Sequence, residues 1–385
     1  MSLQKTIKIL ENLVSFQVLG GDSNLVIVDY ISSYLIQNGI EFQLVPNLEN
    51  TKASIFCRIG PASNGGVILS GHTDVVPVKG QSWETNPFEL IESNGRLFAR
   101  GSCDMKGFLA CCLASVEVFK NAPLKKPIYF AFSYDEEIGC LAAPELAKTI
   151  HTFYSEKPKF AIIGEPSMMH PIVGQKGICV FKTTVYGSAG HSSRIRQEVS
   201  AIHVAAKLVL WLEEKMNKLV ENGDIDNRFE PNHTSIHVGK FNGGIAHNIV
   251  ADRCEFCWDV RIIPKSNLAQ IKADFETYSA ELEANLKERF EGAKIVSEVY
   301  HPAVPPLDTP EHLEVIDLIK TISCNSTLGA VSYAAEAGQY SEEGFQTVIC
   351  GPGDIAQAHR ANEFIAIDQL QKCLIMFEKL AKEFS

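Results

Sequence analysis

The chain lacks the features that mark membrane-spanning, nucleic-acid-binding and exported proteins. None of its apolar runs reaches the roughly 18 residues that a membrane-spanning helix needs. It has no basic tract, and 46 acidic against 35 basic residues give a formal net charge of −11. This balance argues against a nucleic-acid partner, because phosphate contacts require a basic face. Residues 1–14 have the pattern of an amphipathic helix instead of that of a cleaved signal peptide.

The cysteines also lack the spacing of a disulfide framework. There are eleven, an odd number scattered over the chain, which predicts reduced thiols and a cytoplasmic protein. Only Cys254 and Cys257 have C-x-x-C spacing, and no second such pair exists to complete a zinc site. Residues 251–262 alternate as a β-strand does, so these two side chains would point to opposite faces. The pair is therefore interpreted as two strand residues.

What the chain does have is a length of 385 residues and an apolar content of 45%, enough for two domains with a substantial core. Between residues 53 and 176, strand-like runs alternate with helical ones, which favours a mostly parallel sheet covered by helices. After residue 177 the order becomes strand, helix, strand, strand, helix, strand, which is that of a split βαβ unit. Helix 311–324, strands 331–335 and 346–350, and a helix from Asp368 then resume the first pattern.

These patterns predict an α/β fold in which a small domain is inserted into a larger one. The larger domain is expected to comprise residues 1–177 and 301–385, with a mostly parallel sheet. The inserted domain, residues 178–300, is expected to be a ferredoxin-like βαββαβ lid.

One segment, Val67–Pro77, combines a buried strand with chemically useful side chains. It reads VILSGHTDVVP, and His72 and Asp74 follow the apolar run two residues apart. Alternate residues of an extended chain share a face, so both can point into one cleft. This suits a metal-bound imidazole whose other ring nitrogen is held by an acid, although a surface loop can contain such a triplet by chance.

Further acidic and histidine residues recur after strands or glycine-rich turns. They are Asp104, Glu136, Glu137, Glu165 and His359. The ends of parallel strands are where sites form in open α/β sheets, and imidazoles with carboxylates suit zinc or a similar divalent ion. Each residue alone has a simpler interpretation: a helix N-cap for Asp104, a turn residue for Glu165, solvated charges for the Glu136–Glu137 pair. Their conjunction in one scaffold favours a metal site.

The stretches around these residues resemble a known family. They are SGHTDVVP, GRLFARGSCDMKG, DEEIG, GEP, GSAGHSS, AHNIVADRCEFCWDVRIIP and GPGDIAQAH. Together they are similar to the zinc-dependent amidohydrolases that include acetylornithine deacetylase, succinyl-diaminopimelate desuccinylase, aminoacylase and glutamate carboxypeptidase. The resemblance covers nearly the whole chain, including the predicted insertion.

The resemblance implies a dinuclear metal centre, with zinc or alternatively cobalt, in the larger domain. The implied ligands are His72 and Glu165 for one ion, Glu137 and His359 for the other, and Asp104 bridging both. Asp74 would orient His72, and Glu136 would be the general base that takes a proton from water and later delivers it to the leaving nitrogen. The peptide bond from Asp104 to Met105 is expected to be cis.

The resemblance also implies substrate-binding residues. His191 would stabilise the oxyanion from the partner subunit of a homodimer formed through the lid, with help from Asn248, and Arg261 would bind the substrate carboxylate. Simpler interpretations are a turn residue for His191 and a surface salt bridge for Arg261. Glu336 lies in a segment without a neighbouring arginine, which resembles the acetylornithine deacetylase branch. It would contact the ornithine amine or a nearby water, or serve as a helix N-terminal acid.

The function implied is metal-dependent hydrolysis of an N-acyl amino acid, with N2-acetyl-L-ornithine favoured, giving ornithine and acetate for arginine synthesis. Alternatives within the family are another N-acyl amino acid deacylase, a succinyl-diaminopimelate desuccinylase or a dipeptidase. A non-catalytic amino-acid-binding relative is a further alternative, against which the intact Glu136 argues. Arg360 and Ala361 depart from the Lys-Pro or Gln-Pro of relatives, which bears on substrate preference.

Overall fold

The computed structural model describes residues 2–323 and 325–385. Met1, the first residue of the predicted N-terminal helix, and Cys324, the last of the predicted helix 311–324, lie outside them. The helices are α1 (Leu3–Ser15), α2 (Leu25–Gln37), α3 (Lys106–Asn121), α4 (Ala143–Phe153), α5 (Ala201–Glu221), α6 (Leu268–Lys287), α7 (Glu314–Ser323), α8 (Ala337–Glu342) and α9 (Ile367–Glu383). Across the described residues, no helix has the length and apolar character needed to cross a membrane.

The strands fall into longer central ones and short peripheral ones. They are β1 (Phe42–Pro46), β2 (Ala53–Ile59), β3 (Val67–His72), β4 (Ile91–Ser93), β5 (Arg96–Phe98), β6 (Ile128–Ser133), β7 (Phe160–Pro166), β8 (Ile172–Gln175), β9 (Gly177–Tyr186), β10 (Gly190–His191), β11 (Ser235–Gly243), β12 (Ile249–Val250), β13 (Arg253–Ile262), β14 (Lys294–Val304), β15 (Leu307–Asp308), β16 (Gly329–Val331), β17 (Gln346–Gly351) and β18 (Phe364–Ala366).

The chain divides into two compact units, and the smaller is an insertion in the larger. The larger unit comprises Met1–Gln175, Leu307–Ala330 and Ala335–Ser385. The smaller comprises Lys176–Pro306 and Val331–Ala334.

The larger unit is built on a mixed sheet with strand order β1-β2-β6-β3-β7-β17-β8-β15. Its central strands β6, β3, β7 and β17 are parallel, and the outer pairs are antiparallel. Every residue of β3, β6 and β7 is buried, as expected for apolar strands covered on both faces. Helices α1, α3, α7 and α9 pack on one face, and α4 and α8 on the other. The predicted α/β class with a mostly parallel sheet is confirmed.

The smaller unit is a four-stranded antiparallel sheet with order β11-β13-β9-β14. Helices α5 and α6 cover one of its faces, where alternate side chains such as Phe181, Phe256 and Trp258 form the core. The predicted βαββαβ lid fold is therefore confirmed. Cys254 is buried in this core, and the half-buried Cys257 lies three residues along β13, so the strand interpretation of the pair is also confirmed.

The predicted strand at 331–335 is wrong. Only Val331 belongs to a strand, β16, and Ser332–Ala335 form no strand. The Ser332 hydroxyl instead donates a hydrogen bond to the carbonyl of Glu230 at 2.6 Å. The strand pairing of β16 does not continue through Ser332. The short run VSYAA has the composition of a strand, but tertiary contacts decide its conformation.

Candidate metal centre

Four of the five residues proposed as metal ligands lie at or after the ends of central strands of the larger unit's sheet, and Asp104 lies in the loop before α3. His72 is the last residue of β3, and Glu165 lies next to the end of β7. Glu137 follows β6, Asp104 precedes α3, and His359 follows β17. Because the carboxyl ends of parallel strands meet at one edge of a sheet, this topology gathers the four strand-end side chains there.

Asp104 stands between the two histidines, one carboxylate oxygen toward each. Its Oδ1 is 3.2 Å from Nε2 of His72, and its Oδ2 is 3.6 Å from Nε2 of His359. Glu165 Oε1 lies 3.7 Å from His72 Nε2, and Glu137 Oε2 lies 2.9 Å from His359 Nε2. The structure thus brings all five residues together as two groups of three that share Asp104.

The chemistry of this cluster fits divalent metal ions. Ligand atoms of His72, Asp104 and Glu137 lie within 4.8 Å of one another. Glu165 Oε1 is buried and has no hydrogen-bond partner among the described residues, which is costly unless a cation satisfies it. Two imidazole nitrogens with three carboxylates are a donor set suited to zinc and similar ions.

Buried carboxylates repel one another at this site. Burial raises the pKa of Glu165 well above its usual value, and the charge of Asp104 adds to the effect. Burial and Asp104 also raise the pKa of Glu137. Burial opposes protonation of His72, but hydrogen bonds to Asp104 and Asp74 raise the pKa of this imidazole well above its usual value. Without metal, the cluster therefore retains protons, which offset the carboxylate charge that bound cations would otherwise neutralise.

Asp74 contacts the cluster in two ways. His72 Nδ1 is 2.9 Å from the main-chain carbonyl oxygen of Asp74 and 3.5 Å from its carboxylate Oδ1. The carbonyl, closer than the predicted carboxylate, is thus an acceptor for the Nδ1 proton, which leaves Nε2 free to bind a metal. The Asp74 carboxylate accepts backbone N–H bonds from Glu136 and Glu137, each at 3.2 Å.

Glu136 lies beside the ligands without joining them. Its Oε1 accepts a hydrogen bond from the Cys140 thiol at 3.4 Å. Burial, followed by the charges of Glu165 and Glu137, raises the pKa of Glu136 well above its usual value, although the charge of His72 opposes this. A carboxylate with a raised pKa is a stronger base, which suits it to accept a proton and later return it.

Metal removal should make the protein's stability depend on pH. The usual pKa of 4.5 rises to about 7 for Glu336 and Glu363 through burial, and Glu136, Glu137 and Glu165 shift in the same direction. The folded metal-free chain therefore binds more protons than the unfolded chain. Its free energy of unfolding is expected to fall as pH rises from 4.5 through about 7.

Urea unfolding at several pH values, followed by circular dichroism, measures this dependence. The metal-loaded protein is the control and should show a weaker decline, because bound cations favour the ionised carboxylates. A metal-free protein that becomes more stable over the same pH interval would contradict the expectation.

Two buried residues next to the cluster were missed by the sequence analysis. Glu363 accepts backbone N–H bonds from Gly101, Cys103 and Asp104, and Arg100 donates to it at 2.8 Å. The only sequence signal was that Glu363, four residues beyond His359, directly precedes the apolar run that begins at Phe364.

The peptide bond from Asp104 to Met105 is cis, as the resemblance implied.

Glu336 is buried, with only 1% of its surface exposed. It occupies the N-cap position of α8 but forms no side-chain cap; its Oε1 accepts from the Ser133 hydroxyl. The other oxygen, Oε2, is buried and has no hydrogen-bond partner among the described residues. Glu336 therefore does lie at the N-terminus of a helix, which was the alternative interpretation from the sequence. Its side chain does not cap that helix, and one of its carboxylate oxygens accepts no hydrogen bond from the described residues.

The smaller unit holds the remaining predicted residues. His191 is exposed on β10, opposite Ile249 of β12, and Ser192 N–H donates to the Asn248 carbonyl at 3.0 Å. The structure thus brings His191 and Asn248 close together. Arg261 lies near the end of β13, with its side chain 42% exposed and its Nε 3.7 Å from Asp259 Oδ1.

Comparison with known proteins identifies the family. Residues 68–383 match the model of peptidase family M20/M25/M40. The chain belongs to this family. It is thus a metallohydrolase of the M20 type. Acetylornithine deacetylase of Myxococcus xanthus is 30% identical over 97% of this chain and 96% of that protein. Acetylornithine deacetylase of Shigella sonnei is 30% identical over 85% of this chain and 82% of that protein.

Solved structures of M20 proteins share the fold. An M20 family metallo-carboxypeptidase from Sulfolobus solfataricus superposes with a TM-score of 0.79 at 18% identity, covering 100% of this chain and 99% of that one. A dinuclear metal-binding M20 peptidase from Bacillus subtilis gives 0.67 at 15% identity, covering 98% and 97%. At such identities the likeness establishes the fold of the M20 family and no finer property.

Proposed function

We propose that this M20 protein hydrolyses the amide bond of N-acyl amino acids, with N2-acetyl-L-ornithine as preferred substrate and ornithine and acetate as products. The observation that carries the proposal is the pair of ligand groups sharing Asp104, with buried Glu136 beside them. The names of relatives 30% identical over most of their length support the choice of substrate. This activity would serve arginine synthesis in the cytoplasm.

The proposed centre holds two zinc ions, which cobalt can replace. Bound there, the ions would polarise the amide carbonyl and lower the pKa of water. His72 and Glu165 would hold one ion, Glu137 and His359 the other, and Asp104 both. Asp74 would keep His72 oriented through its carbonyl.

Glu136 would move the proton in this scheme. Its carboxylate takes the proton from the attacking water and delivers it to the leaving nitrogen, so that the amine departs neutral. The raised pKa of Glu136 supports this role, because a more basic carboxylate accepts a proton from water more readily.

Two residues would each recognise one charged group of the substrate. Arg261 would bind the α-carboxylate through its guanidinium. Glu336 would accept a hydrogen bond from the side-chain ammonium of ornithine through Oε2, the oxygen that Ser133 does not bind. The second contact would favour an amino acid with a cationic side chain.

His191 and Asn248 would stabilise the oxyanion from the partner subunit of a homodimer. The edge position of β11 in its sheet supports an assembly through the smaller unit. Apolar side chains nearby are exposed, notably Ile245 at 86%, Phe241 at 42% and Ile249 at 39%. Exposed apolar patches of this kind mark protein interfaces.

A panel of four substrates tests the function. N2-acetyl-L-ornithine should be hydrolysed best. Acetylputrescine, which lacks the carboxylate, and N-acetyl-L-norvaline, which lacks the ammonium, should each show a kcat/KM about 10- to 100-fold lower, since hydrogen bonds to charged groups contribute about 1.5–3 kcal/mol. N-succinyl-diaminopimelate should not be turned over. Release of free amine measures each reaction.

Matched variants assign the two contacts. Arg261→Ala should remove the preference for acetylornithine over acetylputrescine. Glu336→Gln should remove the preference for acetylornithine over acetylnorvaline. Fast turnover of N-succinyl-diaminopimelate or of dipeptides, with acetylornithine untouched, would overturn the proposed substrate. Absence of any hydrolysis by a protein that binds two metal ions would favour a binding role instead.

A further inference from the structure

A buried carboxylate joins the loop that carries Asp104 to the segment that carries His359. Glu363 Oε1 accepts the backbone N–H groups of Cys103 at 2.8 Å and of Asp104 at 3.0 Å. Its Oε2 accepts the N–H of Gly101 at 3.0 Å and Arg100 Nη1 at 2.8 Å. Both oxygens are thus fully engaged in holding this loop.

Arg100 extends the connection to His359. Its Nη1 donates to the Arg360 carbonyl at 3.2 Å, and its Nη2 donates to Gln81 Oε1 at 2.6 Å. Gln81 in turn donates from Nε2 to the His359 carbonyl at 2.8 Å. The side chains of Arg100 and Glu363 are only 1% and 0% exposed, so the pair is shielded from solvent.

The backbone of His359 needs such support. Its φ of 62° lies in the left-handed region, which is costly for a residue other than glycine. Its side chain is 60% exposed, so packing around the ring is limited. The bond from Gln81 to its carbonyl restrains this conformation, and through Arg100 it ties the residue to the Asp104 loop.

We propose that Glu363, Arg100 and Gln81 are positioning residues that set the separation of Asp104 and His359, and thereby the affinity of the ion that these two residues share with Glu137. The inference rests on the proposed dinuclear centre. Glu363 itself is not a ligand in this scheme, because both of its oxygens are occupied by donors.

Only a carboxylate satisfies the geometry at position 363. Two donors converge on each of its oxygens, so an amide would set its NH₂ against two N–H donors in either orientation. Glu363→Gln preserves the size of the side chain but removes the hydrogen bonds to one of its two oxygens. Gln81→Met removes the other end of the network at a half-buried position, where a folding defect is not expected.

An ion pair elsewhere in the larger unit, with a buried glutamate and a partly exposed arginine, provides the control. Arg58 pairs with Glu156, and Arg58 lies opposite Tyr129, near the start of β6 and so at the sheet edge away from the cluster. Glu156→Gln removes a buried charge, as Glu363→Gln does. Any effect that both variants share reflects the loss of a buried charge alone.

Titration of the metal-free variants with Co²⁺, by calorimetry and by the visible absorption of the bound ion, tests the proposal. Wild-type protein should bind two ions. Glu363→Gln and Gln81→Met should bind the second ion about 10- to 100-fold more weakly, as changes to residues supporting metal ligands do. Its absorption band should also be altered. Glu156→Gln should lower thermal stability but leave both affinities and the spectrum unchanged.

Each other outcome has a distinct meaning. If Glu363→Gln and Gln81→Met bind both ions as wild type does, the positioning role is wrong while the proposed centre stands. If wild-type protein binds no Co²⁺, the proposed centre itself fails, and this inference with it. Should Glu363→Gln not fold, the Gln81→Met titration decides.

Discussion

Replacing Glu136 with glutamine is expected to lower kcat for N2-acetyl-L-ornithine by about 10²- to 10⁴-fold, the range that a general base contributes. Both metal ions should remain bound, because Glu136 makes none of the contacts that join the histidines and carboxylates of the cluster. The amide cannot take the proton from water, yet it matches the carboxylate in size and can still meet the Cys140 thiol.

Metal content and stability distinguish this effect from damage to the site. Without metal, Glu136→Gln should be more stable than wild type at pH 8, since it removes a buried carboxylate whose pKa is raised. Glu145→Gln, at an exposed position of α4, is the matched control and should leave both rate and stability unchanged. A kcat for Glu136→Gln near that of wild type would rule Glu136 out as the base.

Replacing Asp104 with alanine is expected to release both metal ions. Its two oxygens face the two histidines separately, so no other residue of the cluster serves both groups. We expect each ion to bind at least about 100-fold more weakly, because even changes to residues behind the ligands cost 10- to 100-fold. Turnover should fall below that of Glu136→Gln, since the chemistry supplied by the metal ions is itself lost.

Glu165→Ala is the matched variant for Asp104→Ala. Glu165→Ala should weaken the binding of only the ion held by His72. Metal analysis after dialysis should therefore find one ion in Glu165→Ala and none in Asp104→Ala. Thermal unfolding without metal checks the fold of both variants. Two tightly held ions in Asp104→Ala would contradict the bridging role.

The sequence predicted the central sheet well because buried parallel strands carry continuous apolar runs. The same runs located His72 and Glu165, which sit at the ends of β3 and β7, where the carboxyl edge of the sheet gathers side chains. Asp104 and His359 lie in loops, and their approach depends on tertiary folding; only resemblance to a family indicated it.

Features made by long-range contacts escaped the sequence analysis. Strand β18 has three residues and pairs with β5, more than 260 positions earlier, so no local pattern marks it. Glu363 reaches Asp104 across 259 positions, and no local pattern distinguishes it from other acidic residues. The burial of Glu336 was also missed, since a lone glutamate before a short helix is ordinarily solvated.

The insertion of the smaller unit affects the order in which the larger one can be completed during translation. Strand β17, made after residue 345, lies between β7 and β8, which are made before residue 176. Until the ribosome has released β17, the facing edges of β7 and β8 have no partner between them, and the cluster lacks His359. A nascent chain therefore carries exposed strand edges through synthesis of the whole insertion, the state in which chaperones protect unfinished domains.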